Sequence, residues 1–315
     1  MHLGLGTAAI GRPQYINIKH DLDTEKVDLE TFRDKGFQLL NYAYNRGIRY
    51  FDTAPGYGHA EQLLIDWVND VKDEKIEVAT KWGYTYTANF DLNAMQHEIK
   101  EHSLGKLNQQ WERSIKLFPF LSTYQVHSAT FESGILSNVP ILNRLAELKE
   151  TYGLRVGITT SGPNQLEVVK TALEVEVEGY RLFEVFQVTY NILDQRIGAI
   201  FSDSIVKDRR FVIKEALANG RLFPNKNYMH YQPLYHYLKT LADKYGVEID
   251  AIALRFCQDN IKPFMILSGA SKKQHLLGNL RMNQFELTKE ELHLLEQFKV
   301  SSDFYWKERS ALAWN

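Results

Sequence analysis

Short apolar runs and amphipathic stretches alternate along this chain almost from end to end. Runs rich in β-branched and aromatic residues recur at 3–7, 49–53, 76–81, 121–127, 154–160, 182–188, 210–214 and 264–268. Each is the length of a strand, and the stretches between them repeat at helical spacing, as in Phe37, Leu40 and Tyr44 or Leu142, Leu145 and Leu148. Eight strand candidates separated by seven helical segments, with a last helix after Gly269, predict an α/β fold: a closed (β/α)8 TIM barrel. Its strand-helix loops and a C-terminal tail would form the pocket rim. The rival, an open doubly wound sheet, calls for a glycine-rich phosphate loop after the first strand. Here Gly4 and Gly6 fall inside that strand, with Gly11 following.

Nothing divides the pattern. No Pro/Gly/Ser linker, low-complexity tract or internal repeat interrupts it, so one domain is expected over 1–315. At 315 residues, 44% hydrophobic and 24% charged, the chain can bury a large core. A formal net charge of −2 offers no broad field for nucleic acid or an anionic membrane. With neither a leader-like start nor an apolar run of about 18 residues, a cytoplasmic protein is expected. Cys257 is the single cysteine, which removes an intrachain disulfide framework and a multi-cysteine metal site. Its setting, AIALRFCQDN, reads as a helix core position. The histidines lack ligand spacing with acidic or thiol partners, so no metal is expected. Oligomeric state does not follow from the pattern.

Four polar residues lie at or just past predicted strand ends: Asp52, Tyr57, Lys81 and His127. In a barrel the C-terminal strand ends converge on one mouth, so residues distant in sequence would meet there. A carboxylate, a phenol, an ammonium and an imidazole together suggest proton donation to a carbonyl oxygen. Taken singly each has a plainer reading: Asp52 as a turn cap, Tyr57 as a rim residue, Lys81 as a solvated strand end, His127 as a partner of a backbone carbonyl.

Seven segments, in order, carry a resemblance. DTAPGYGHAEQLL (52–64), the TKWG after it, SLGKLNQQWERSIKLFPFLSTYQVHS (103–128), GITTSGPNQ (157–165), FQVTYNILD (186–194), EALANGRLF (215–223) and LSGASKKQHLLGN (267–279) are similar to the aldo-keto reductase superfamily. The likeness runs from 3 to 297. It implies an NAD(P)H-dependent oxidoreductase that interconverts a small carbonyl compound and an alcohol. No side chain donates hydride, so a nicotinamide would supply it. Tyr57 would be the general acid, provided that its pKa, ordinarily near 10, is brought closer to neutrality. Lys81 would favour the phenolate, Asp52 would hold Lys81, and His127 would orient the carbonyl.

The same resemblance assigns the cofactor contacts. Thr159 and Thr160 stand where similar chains carry Ser-Asn for the nicotinamide carboxamide, and Gln187 matches a carboxamide-binding glutamine. Lys214 replaces the aromatic that stacks on the nicotinamide, and an ammonium has no π face to offer. Gly269, Ser271, Lys272 and Lys273 lead into a helix start suited to phosphate. His275 stands in an arginine's place and Gly278 in a glutamate's, while Asn279 is retained. The two lysines favour NADP(H), with NAD(H) the alternative. Trp82, Tyr84 and Trp306 are the pocket candidates, with the loop 83–93 (Tyr86, Phe90) and a tail bearing Phe304, Tyr305 and Trp314 as further walls. Two other functions fit the pattern: a dinucleotide-binding, redox-sensing barrel with little turnover, and an aldolase-type barrel using Lys81 as a Schiff-base amine.

Overall fold

In the computed structural model each apolar run becomes a strand. Residues 2–14, 17–18, 29–91 and 94–314 are described. The strands are β1 Leu3–Gly6, β2 Tyr50–Asp52, β3 Glu77–Trp82, β4 Leu121–Ala129, β5 Arg155–Thr160, β6 Phe183–Thr189, β7 Arg210–Lys214 and β8 Met265–Ser268. They close into an all-parallel barrel, each strand bonded to its neighbours in sequence and β8 to β1. Around it lie α1 Leu29–Asn45, α2 Ala60–Val71, α3 Leu104–Ser114, α4 Val139–Tyr152, α5 Gln165–Leu173, α6 Gln232–Tyr245, α7 Ile249–Ile261 and α8 Lys273–Leu280. Two more helices, α9 Lys289–Glu296 and α10 Ser302–Ser310, follow the last strand.

Alternation along the strands decides what faces the lumen, because successive side chains point to opposite faces. Tyr50, Ala79, Val185, Val212 and Met265 pack together as an apolar floor. Two residues further along the same strands stand Asp52, Lys81, Gln187 and Lys214, so the polar side chains form the next layer up, towards the mouth. Gly157 makes room on β5, where a Cβ would meet the Gln125 side chain at 2.7 Å. The intervening residues, such as Phe51, Val78, Val126, Phe186 and Ile213, join the larger core between barrel and helices. That core is why the strands read as continuous apolar runs.

Two expectations change. Between β6 and β7 the chain makes 3₁₀ turns, Arg196–Ile200 and Ser204–Val206, instead of an α-helix. The connection carries Gly198, Ser202 and Asp203, and the Asp203 carboxylate accepts from Ile205 N at 3.0 Å, a local bond that competes with helix continuation. The loop after β3 is an antiparallel hairpin, Tyr84–Tyr86 against Glu98–Lys100; Asn93 lies outside the described residues. Cys257 is buried in α7, as the pattern predicts. Among the described residues no helix is long and apolar enough to cross a membrane.

Candidate active site at the barrel mouth

Asp52 and Lys81 meet in the lumen as a buried ion pair. Lys81 Nζ also donates to the Thr53 carbonyl at 3.0 Å. The second Asp52 oxygen accepts from Gln187 Nε2 at 2.7 Å and Gln125 Nε2 at 3.4 Å. Four strands, β2, β3, β4 and β6, therefore contribute to one set of charge-assisted bonds, the condition for holding two charges out of water.

Tyr57 reaches this pair from the turn after β2. Its ring centroid lies 4.8 Å from Lys81 Nζ, and its hydroxyl lies 3.4 Å from His127 Nε2. The turn is held by close backbone contact with the loop after β1. His59 N donates to the Gly11 carbonyl at 2.8 Å, Gly58 has φ +66°, and a Cβ on Gly11 would meet the Tyr57 carbonyl at 2.1 Å. Only glycine fits at Gly11, so that residue helps to set where the phenol stands.

His127 is oriented from two sides. His102 Nε2 donates to its backbone carbonyl at 2.9 Å, and the Tyr84 ring centroid is 4.6 Å from the imidazole. Burial, reinforced by Lys81, Arg12 and Lys214, holds its pKa well below the ordinary histidine value, so the ring is neutral near pH 7. The sequence expectation for Tyr57 is corrected here. Burial pushes its pKa well above 10 and Asp52 adds to that, with Arg12 opposing. The Lys81 ammonium, 4.8 Å from the ring centroid and paired with Asp52, does not overcome that burial before a ligand binds. Tyr57 stays protonated, the state a proton donor needs.

The other candidates divide. Tyr84 stands against His127, but Trp82 is 0% exposed. It follows Lys81 on β3 and so faces the outer layer, where it packs edge-on to His102; it is not an accessible pocket wall. Trp306 is buried in α10, its indole N–H donating to Asp194 at 3.1 Å and its ring centroid 5.8 Å from Lys214 Nζ. Phe304 is largely exposed, Tyr305 is fully buried, and Trp314 stacks on His97 with Arg12 4.7 Å from its ring. The tail is thus core at Tyr305 and rim at Trp314.

On the cofactor side Thr159 Oγ1 accepts from Ser128 N at 2.7 Å, and Gln187 is tied to Asp52. Thr160 Oγ1 and His127 Nδ1 are buried without a hydrogen-bond partner among the described residues. A molecule carrying its own donors and acceptors would satisfy them, which is the fit a carboxamide-bearing ligand requires. Gly269, Ser271, Lys272 and Lys273 are exposed at the start of α8, Lys273 Nζ reaching Gln38 Oε1 at 3.2 Å. Asn279 differs from expectation. It is 2% exposed, accepting from Ser268 Oγ and donating to Asp250 Oδ2, each at 2.6 Å. Both ends of its amide are engaged internally, which makes it a tie between β8, α7 and α8. A Cβ at Gly278 would come within 2.9 Å of that Asp250 oxygen.

Sequence reasoning missed Gln125 and Arg12. Gln125 was findable, as a polar residue two positions before His127 on the same face of an apolar strand. Arg12 was not: it lies beyond β1 and reaches the site only through the fold. There it is bonded to the Gly56 carbonyl at 3.1 Å and Glu98 at 2.9 Å, with its guanidinium 5.5 Å from the Tyr57 ring.

Known proteins agree with this architecture. The aldo-keto reductase AKR11C1 from Bacillus halodurans superposes with a TM-score of 0.69 at 20% identity, covering 95% of this chain and 92% of that one. The glycerol dehydrogenase AKR11B4 from Gluconobacter oxydans gives 0.68 at 20% identity, over 94% and 90%. Among curated proteins, norsolorinic acid reductase B of Dothistroma septosporum is 23% identical over 291 residues, 85% of this chain and 72% of its own. The putative aryl-alcohol dehydrogenase AAD14 of Saccharomyces cerevisiae is 24% identical over 302 residues, 84% and 76%. The profile of the Aldo/keto reductase family matches residues 2–299, nearly the whole barrel and its charged mouth, and this chain therefore belongs to that family.

Proposed function

We propose that this oxidoreductase of the carbonyl/alcohol type is an NAD(P)H-dependent carbonyl reductase, with Tyr57 as the proton donor. The observation that carries the reading is the lumen set of Asp52, Lys81, Tyr57 and His127, in which a protonated phenol stands 3.4 Å from a neutral imidazole. A bound nicotinamide supplies the hydride that no side chain can.

The remaining steps belong to the chain. A carbonyl oxygen placed between Tyr57 Oη and His127 Nε2 would receive a hydrogen bond from the phenol, and from the imidazole when its proton is on Nε2. Holding it there orients the carbonyl carbon and excludes water from that edge. As charge develops on the oxygen, the Tyr57 proton moves to it, and the Lys81 ammonium beside the ring stabilises the phenolate that forms. Asp52, held by Gln187 and Gln125, keeps Lys81 in place. Ser271, Lys272 and Lys273 would take the phosphate end of the dinucleotide, and the two ammonium groups favour NADP(H) over NAD(H). Thr160 is the readiest carboxamide partner.

Tyr84 and Trp314 stand by the mouth as aromatic walls, and some relatives are named for aryl alcohols, so aryl aldehydes belong in the first substrate panel. The test is the loss of reduced-nicotinamide absorbance when NADPH or NADH, protein and aldehydes are mixed. Dinucleotide binding without turnover on the panel would replace this reading with the redox-sensing one. The aldolase reading is disfavoured because Lys81 Nζ is committed to both Asp52 and the Thr53 carbonyl instead of standing in an apolar lysine pocket; borohydride trapping on Lys81 would restore it.

A further inference from the structure

Two lysines face the upper half of the lumen, and the fold keeps them in different ways. Lys81 is matched by Asp52 at contact distance. Lys214 ends β7 two residues beyond Val212 of the apolar floor, so alternation brings it into the same lumen one layer higher. Its Nζ donates to Thr189 Oγ1 at 2.9 Å, a neutral hydroxyl on β6. The adjacent carboxylate does not pair with it. Glu215, at φ +54°, is bonded to Arg309 Nε and Nη2 at 3.3 and 3.0 Å.

That arrangement is tightly held. Burial would raise the Glu215 pKa, but Lys214 and Arg309 bring it down to about 2, so the carboxylate is ionised and engaged by Arg309 across the working pH range. Burial disfavours the Lys214 charge, which Glu215 partly offsets while Arg309 and Lys81 oppose it. The ammonium is nonetheless felt across the mouth, being one of the charges that lower the His127 pKa. Among the described residues this cation has one hydroxyl at hydrogen-bond distance, with the Trp306 ring 5.8 Å away and Glu215 and Asp194 acting on it without an ion pair; facing a lumen, it acts on whatever enters that lumen.

We infer that Lys214 makes the mouth discriminate by charge between the two redox forms of nicotinamide, disfavouring the cationic oxidised ring relative to the neutral reduced one. This rests on the proposed function. The consequence is a linkage: holding the reduced dinucleotide more tightly than the oxidised one favours uptake of the reduced cofactor and release of the oxidised one in carbonyl reduction, while it draws the enzyme-bound equilibrium towards alcohol oxidation by the same ratio. At an effective dielectric of about 20, a like charge entering the same lumen would weaken binding on the order of tenfold.

The test is a pair of dissociation constants, for NADPH and NADP⁺, measured by calorimetry or by quenching of tryptophan fluorescence, without substrate and without turnover. The wild type should bind NADPH at least tenfold more tightly. Lys214→Gln, which removes the charge and keeps a donor for Thr189, should reduce that ratio by about tenfold, chiefly by tightening NADP⁺; Lys214→Arg should preserve it. Lys214→Met gives a second neutral side chain should the glutamine variant fold poorly. An unchanged ratio in the neutral variants overturns the inference. Equal weakening of both forms also overturns it, because Lys214 would then be holding the phosphates. If the wild type binds neither form, the proposed function itself fails, an outcome distinct from a bound pair with an insensitive ratio.

Discussion

The two sides of the barrel mouth are built on different principles. On the β2–β4 side, Asp52, Lys81 and Tyr57 are buried, His127 is partly buried, and the four are mutually engaged, with Gln125, Gln187 and Arg12 packed around them. On the β7–β8 side, Lys272 and Lys273 are exposed, Lys214 is bonded to a hydroxyl, and the backbone after β7 passes through positive φ at Glu215, Ala218, Asn219 and Gly220. Non-glycine residues in that region cost free energy and persist only where surroundings impose them, often at ligand sites. The contrast teaches a division of labour. A side that must move one proton at a fixed atom benefits from being complete before anything binds. In the proposed function the other side receives and releases a large anion, and its lysines lie at the surface, where charge is cheap to hydrate.

The largest expected effect tests the closed side. Tyr57→Phe should leave folding and dinucleotide binding intact while lowering kcat by roughly a hundred- to ten-thousandfold, the range for loss of a general acid. An unaltered kcat in single-turnover experiments would remove the phenol from the mechanism. Next comes stability. Lys81→Met leaves Asp52 buried without its cation, and denaturant unfolding should show a loss of about 3–5 kcal/mol. Lys273→Ala, at an exposed helix start, should change unfolding by less than about 0.5 kcal/mol. Similar losses in the two variants would erase the proposed difference between the sides.

Smaller than the Lys81→Met loss is the effect of Lys272→Ala with Lys273→Ala on ligand binding. NADPH should weaken by roughly 1–3 kcal/mol and NADH much less, for lost charge-assisted bonds to a phosphate. Equal weakening would mean that the lysines only steer. The smallest effect is on pH dependence. The reductive direction needs Tyr57 protonated and His127 neutral; a raised tyrosine pKa keeps the proton on above the ordinary value of about 10, and a lowered histidine pKa keeps the ring neutral down to below about 6.5. These two groups should leave log kcat flat between those limits. A titration limb near pH 8 that Tyr57→Phe abolishes would show that bound ligand brings the phenol towards neutrality after all.

Much of this molecule was legible before folding. The eight strands stand within a residue or two of the apolar runs because strands buried on both faces need unbroken apolar sequence. Asp52, Tyr57, Lys81 and His127 could be grouped because a barrel collects its strand ends at one mouth, and Lys272 and Lys273 because they open the helix after the last strand. What the chain could not announce was the partner of each group. Whether Lys81 lowers the Tyr57 pKa depends on how closely Asp52 neutralises it. Whether Asn279 binds a ligand depends on Asp250, 29 residues away and on another helix. Trp82 and Lys81 are neighbours in sequence on opposite faces of one strand, and Arg12 reaches Tyr57 only because the loop after β1 lies against the turn after β2. Composition and periodicity are local and report which surface a residue faces. Electrostatics and hydrogen bonding are set by distances of a few ångströms between segments far apart in the chain, and those distances exist only once the barrel has closed.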